Sequence, residues 1–192
     1  MEFNAKLSRI TYFLKAGREN TEATFNLAAE RANELGIKTL LLASTTGETG
    51  ARAVEYFKGY KIIVVSHVHG FAEPNRGEMH AQYVNKIESA GGRIITAAHA
   101  FSGVSRAIRT KFEVYQTAEI MANTLKIFAQ GIKVVCEIAM MAADAGMVRT
   151  DEEVIALAGS GRGADTAVVL MPANSHNFFD LKIKEIICKP RL

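Results

Sequence analysis

Thr39-Leu40-Leu41-Leu42-Ala43-Ser44-Thr45-Thr46-Gly47-Glu48-Thr49-Gly50-Ala51-Arg52 decides how this chain is read. An apolar run, Lys38 to Ala43, predicts a buried strand. It feeds a hydroxyl-rich turn, and a short helix from Ala51 to Phe57 follows, closed by Gly59. The first amides of a helix have no partner in the helix, and they sit at the positive end of its dipole. A strand that delivers such amides beside several hydroxyls is suited to an anion, above all a phosphate. A plain β–α turn whose hydroxyls cap the helix is the competing reading. The turn is no Walker loop, because no Gly-Lys-Ser/Thr follows Gly47.

The periodicity continues outward on both sides. Thr21 to Leu35 places Ala23, Phe25, Leu27, Ala28, Ala32 and Leu35 at helical spacing, with Asn20 or Thr21 as cap and Gly36 as stop. Lys61 to Ser66 is a β-branched run of the kind found in parallel strands covered on both faces. Gly77 to Ala90 predicts a helix ended by Gly91-Gly92, and Arg93 to Thr96 a further strand. This alternation of helix and strand argues for a parallel sheet with helices on both faces. Thr117 to Ala129 and Val134 to Ala145 predict two more helices. The second is apolar on nearly every side, so it should be deeply buried or lie in a subunit interface. Val154 to Ala158 and Ala167 to Met171 are strands, Pro172 bounds the latter, and Ile183 to Cys188 reads as a final edge strand.

A second glycine-bearing stretch, Gly159-Ser160-Gly161-Arg162-Gly163-Ala164-Asp165-Thr166, lies between two of those strands. It matches a dinucleotide fingerprint formally, but that fingerprint needs a helix where a strand is expected. A nest of backbone amides with Arg162 supplying charge is one reading, and a glycine-rich turn joining two strands is the other. Asp165 can accept from a ligand or cap the turn.

Composition narrows the function classes. The chain has 192 residues, 48% of them hydrophobic, and a formal charge of +3, enough for one domain spanning 1–192. Without a Lys/Arg block no nucleic-acid partner is expected. The greasy stretch at Val134 to Ala145 is too short, and too charged at Glu137 and Asp144, to span a bilayer. The opening Met1-Glu2-Phe3-Asn4 lacks a signal pattern, and Cys136 and Cys188 read as buried free thiols, so a cytoplasmic protein in a reducing compartment is expected.

His67-Val68-His69 with His99 invites a metal, yet no further ligand has a recognisable spacing. Polar residues at strand ends lining a cleft is the favoured reading, and no metal is expected. As cleft residues His67 and His99 can contact a ligand's ring or phosphate. Glu137 and Asp144 share a helix face and need partners, with Arg106, Arg109 or a neighbouring helix end available. Glu119 and Asn123, one turn apart, line the cleft or face solvent. His99 to Arg109 is an ordinary loop or a lid. No Ser/His/Asp or Cys/His arrangement supports nucleophilic catalysis, and catalytic residues stay unassigned.

The two turns resemble those of the pyruvate kinase C-terminal domain. There a Thr/Ser-x-Ser-Gly-x-Ser/Thr turn grips a phosphate of the allosteric sugar bisphosphate, and a Gly-Ser-Gly loop closes the same effector site. The match is carried by Ser44-Thr45-Thr46-Gly47-Glu48-Thr49 and by Gly159-Ser160-Gly161 ahead of Thr166. Nearly the whole chain resembles a family of small, mostly archaeal proteins that consist of this domain alone. Asn20-Thr21-Glu22, Thr45-Thr46-Gly47, His99 to Val104, Ala142 to Gly146 and Gly161 to Ala167 carry that resemblance. It implies a three-layer α/β/α sandwich with a mostly parallel sheet. It also implies a phosphorylated ligand, flavin mononucleotide (FMN) in the stand-alone proteins. Together with His67 and His99 read above as cleft residues, the expected binding set is Ser44, Thr45, Thr46, Gly47, Glu48, Thr49, His67, His99, Gly161, Arg162, Gly163, Ala164, Asp165 and Thr166.

Pyruvate kinase activity is not expected, since it belongs to a separate barrel for which this chain has no room. Thr45 and Glu48 occupy slots where the kinase turn often carries Lys or Arg, and Glu48 would repel a second phosphate. A nucleotide-like monophosphate therefore fits better than a sugar bisphosphate. A ligand-binding homo-oligomer is the leading expectation. A flavin-dependent oxidoreductase or other small-molecule enzyme, and an assembly module without cofactor, are the alternatives.

Overall fold

The computed structural model describes residues 7–192, so the opening Met1-Glu2-Phe3-Asn4 lies outside the described residues. Seven strands form one sheet: β1 (Thr11–Phe13), β2 (Thr39–Ala43), β3 (Lys61–Val65), β4 (Arg93–Ile95), β5 (Val154–Ala158), β6 (Thr166–Met171) and β7 (Lys182–Pro190). Their order across the sheet is β1-β7-β6-β5-β2-β3-β4. Neighbours run parallel except at β5–β6 and β6–β7, so β6 alone opposes the rest. The helices are α1 (Thr21–Leu35), α2 (Glu48–Tyr56), α3 (Ala81–Ser89), α4 (Gly103–Phe112), α5 (Thr117–Lys126) and α6 (Gln130–Asp144).

Strict alternation along the central strands explains the three layers. Leu40, Leu42, Ile62, Val64, Ile155 and Leu157 face one side, where Phe25, Ala28 and Ala32 of α1, Val54 of α2 and Ile87 of α3 meet them. Leu41, Ile63, Val65, Ala156, Val168 and Leu170 face the other side and pack on α6. Both faces are thus covered, which is why these strands carry almost no polar residue. Helix α6 buries eleven of its residues. Its all-round apolar surface is accounted for by this core position, between the sheet and α5. No helix among the described residues is long and apolar enough to cross a membrane. Cys136 and Cys188 are free and buried, and burial pushes their thiols up to about 12 and about 11.

The structure corrects several boundaries. Helix α2 begins at Glu48 rather than Ala51, α3 at Ala81 rather than Gly77, α5 ends at Lys126, and α6 begins at Gln130. The strand read at the sheet edge, β7, is flanked on both sides by β6 and β1. The edge is β1, three residues that pair with Cys188–Pro190. His99 to Arg109 is no plain loop: from Gly103 it is helix α4, although none of its residues is buried.

Candidate functional site

The sheet changes direction of growth between β2 and β5. From β2 the chain proceeds through β3 and β4 on one side, whereas β5 is added on the other. Loops leaving such a switch point diverge and open a crevice at the carboxyl ends of the strands, the usual place for a ligand in an open α/β sheet. A cleft of about 520 Å³ lies there, within the range of small-molecule sites.

The first wall is the turn after β2. Ser44 is anchored to β3 through its N–H to the Val65 carbonyl, 3.0 Å, and its Oγ accepts from Gly50 N–H at 3.3 Å. Gly47 stands at φ +91°, and a Cβ there would come within 2.7 Å of the Tyr83 Cβ, so glycine is required. This bend starts α2 abruptly. The amides of Thr45, Thr46, Gly47, Glu48 and Thr49 find no acceptor among the described residues. Ser44, Thr45, Thr46, Glu48 and Thr49 line the cleft, while Gly47 lies behind them against Tyr83.

The facing wall is the β5–β6 connection, a glycine-rich hairpin tip. Gly161, Arg162 and Gly163 line the same cleft as Thr46. Ala164, Asp165 and Thr166 do not line it and are wholly buried. Asp165 performs the turn-capping role among its two readings: it accepts from Ser160 N–H (3.2 Å), Gly17 N–H (3.0 Å) and the Thr166 hydroxyl (2.9 Å). The bond to Gly17 draws the segment before α1 into the site. Thr21 Oγ1 accepts from Ala164 N–H at 3.0 Å, and Arg18 reaches Glu48 at 3.4 Å. Arg18 and Thr21 are cleft residues that no local pattern announces; only Asp165 could have hinted at a tie to a distant amide.

The floor comes from the ends of β3 and β4. His67 Nδ1 lies 2.7 Å from Glu78 Oε2, and Val68 N–H donates to His99 Nε2 at 3.3 Å. The two imidazoles pack with Phe71, which stacks on His99 at 5.2 Å and carries the Arg106 guanidinium 4.6 Å from its centre. Burial pushes His99 below the ordinary histidine value. His67, Lys133 and Arg106 push the same way, against the opposing pull of Glu137. His69 does not join these rings; it packs against Gly77 outside the cleft lining.

The third side belongs to α4, α5 and α6. Glu137 is buried, pairs with Lys133 and accepts from Phe101 N–H at 3.1 Å. Its partner is thus one turn away on its own helix, not Arg106 or Arg109. Arg109 instead lies 2.6 Å from Glu119, in an ion contact not aligned as a hydrogen bond. Glu119 also closes the start of α5 by accepting from Gln116 N–H. Asp144 is remote from the cleft and accepts from Ser175 N–H and Asn174. Burial raises its carboxyl, but these bonds outweigh that and hold it below the ordinary value.

Seven Lys/Arg and three Glu line the cleft. Each Glu is matched by Arg18, Arg109 or Lys133, which leaves Arg52, Arg106, Lys126 and Arg162 without a carboxylate partner among the described residues. Unengaged amides plus a surplus of cations make the site attractive to an anion.

Solved structures that match this chain include two of pyruvate kinase from Cryptosporidium parvum. One is 15% identical over 80% of this chain and 23% of its own, with a TM-score of 0.41. The other, in complex with ADP, is 16% identical over 78% of this chain and 22% of its own, with a TM-score of 0.38. The chain therefore spans less than a quarter of either kinase. Residues 22–170, well over half of the chain, match the family model of the pyruvate kinase alpha/beta domain, and the chain belongs to that family.

Proposed function

We propose that the cleft binds a phosphorylated small molecule, with FMN as the ligand. One observation carries this: five successive amides, Thr45 to Thr49, stand unengaged at a helix start, and all of these residues but Gly47 line the same crevice as the Gly161–Gly163 loop. The phosphate would rest on those amides and on the hydroxyls of Thr45, Thr46 and Thr49, with Arg162 and Arg52 supplying charge. The residues present also suit the remainder of the molecule. His67, Phe71 and His99 form an aromatic floor for a ring, and Glu119, Asn123 and Gln130 offer polar atoms to hydroxyls. Bound flavin supplies reversible electron and hydride chemistry. The chain's own part is to grip the phosphate, orient the ring and keep water from it.

Thr46→Glu tests the phosphate grip. Thr46 is half-exposed, so a longer side chain has room, and its charge would oppose the ligand's phosphate. Losing charge-assisted bonds of this kind should weaken FMN roughly 10- to 100-fold. Riboflavin, which lacks the phosphate, should change by less than about threefold on the same reasoning. Flavin fluorescence titration reads both, and equal loss for the two ligands would show that the phosphate lies elsewhere. Reduction of bound flavin by a nicotinamide nucleotide would mark an oxidoreductase rather than a binder.

A further inference from the structure

The floor of the cleft holds two imidazoles that phosphate binding leaves unused. His67 follows β3 and His99 follows β4, the first and second strands beyond β2. Adjacent strands lie about 4.8 Å apart, so the two rings stand on one side of the phosphate turn, in the same cleft as Thr45 and Thr46. In each ring the protein has committed one nitrogen. Glu78 faces His67 Nδ1, and an ionised carboxylate only accepts; Nδ1 therefore carries a hydrogen, and in the neutral ring the lone pair is on Nε2. Val68 N–H donates to His99 Nε2, so that nitrogen is bare and the hydrogen of the neutral ring sits on Nδ1. The ring centres are 5.2 Å apart, and both residues line the cleft. Burial of His99 favours the neutral form that this bond requires. The result is one oriented base beside one neutral hydrogen-bond donor, two groups whose surroundings push them into opposite roles.

We propose that the cleft catalyses proton transfer at the carbon next to the carbonyl of a small phosphorylated carbonyl compound, an aldose or ketose phosphate. This rests on the phosphate reading of the Thr45–Thr49 turn, and such a compound competes with FMN for that turn. His67 Nε2 removes the C–H proton. The electron pair of that bond becomes the carbon–carbon double bond of an enediolate, and the carbonyl π pair moves onto oxygen, where the His99 Nδ1–H hydrogen bond receives it. Return of the proton to the same carbon regenerates the substrate. Return to the former carbonyl carbon, with one hydroxyl proton passing between the two oxygens, yields the isomer. No electrons are gained or lost, so no oxidant or reductant is consumed. Glu78 is a positioning residue, fixing the tautomer and the aim of His67.

The test follows loss of the C–H signal by NMR when the protein is incubated in D2O with dihydroxyacetone phosphate and, separately, ribose 5-phosphate. Exchange should exceed the protein-free rate and fall roughly 100-fold or more in His67→Gln. In Glu78→Gln the saturated rate should fall roughly tenfold while the half-saturating concentration holds, a split that a merely structural role would not produce. Displacement of FMN by the same compounds is measured in parallel. Compounds that displace FMN but do not exchange overturn the proton-transfer proposal and leave the phosphate site standing. Exchange that survives His67→Gln overturns it as well. Failure of FMN and both compounds to bind removes both readings.

Discussion

Asp165 has no exposed surface, yet its two oxygens take hydrogen bonds from Gly17, Ser160 and Thr166. It fastens the glycine-rich loop to its own strand and fastens the segment carrying Arg18 to that loop. Replacing it by Ala strands three donors around a small void, and each buried orphan costs about 1–3 kcal/mol. Asp165→Ala should therefore lower unfolding free energy by about 3 kcal/mol or more, read by urea titration. FMN should bind more weakly in whatever fraction stays folded, because the loop loses its anchor. The sequence shows an Asp after a Gly-x-Gly run and nothing more. Its decisive partner, the amide of Gly17, is 148 positions away, and no spacing rule spans that distance. Glu78 is hidden for a different reason: it is only 11 positions from His67, but it sits in the irregular stretch between β3 and α3, where no period sets which residues meet.

Helix α6 shows what can be read at the level of an element. Its apolar run announces burial, but the closeness of its packing is not written in hydrophobicity. At Gly131 an added Cβ would sit 2.1 Å from Thr166 Oγ1 and 2.4 Å from its Cβ. The helix start is pressed onto β6, and Gly131→Ala must push the two apart, at a cost of about 1–3 kcal/mol. Gly103→Ala, in open space on α4, serves as control and should be neutral or slightly stabilising. Thermal unfolding of the pair checks both. The parallel strands β2 and β3 were legible because β-branched and leucine runs fit only a doubly covered sheet. The reversed direction of β6 was legible only in the reading of Gly159 to Thr166 as a glycine-rich turn joining two strands, since a buried strand has the same composition either way. Helix α4 carries Val104, Ala107, Ile108 and Phe112 at helical spacing, so its helix was legible; what the pattern did not show is that none of its residues is buried. β1 escaped because three residues carry no period.

Across the molecule, cations gather where the sheet opens. The surplus of Lys/Arg over Glu in the cleft attracts an anion from a distance, and mobile salt screens that attraction. Raising sodium chloride from about 0.05 to about 0.5 M should weaken FMN binding roughly tenfold, with riboflavin changed less than about twofold. A titration in which both ligands respond alike would assign the affinity to the ring rather than the charge. The family-level architecture was readable from the two turns and the alternation around them. The cleft's third side was only partly readable, because Lys126 and Lys133 look like any solvated lysines until α5 and α6 are folded against the sheet.

The pairing of β1 with β7, Thr11 against Cys188, has a consequence for biogenesis. A ribosome has already threaded out every other strand of the sheet before residues near 190 emerge, so the outermost ribbon must wait, unpaired, until the strand it joins has been made. Contacts this remote along the polypeptide are slow to form. The stretch bearing Gly17 and Arg18 waits for Asp165 in the same way, which makes the cleft one of the last features to mature on a nascent polypeptide.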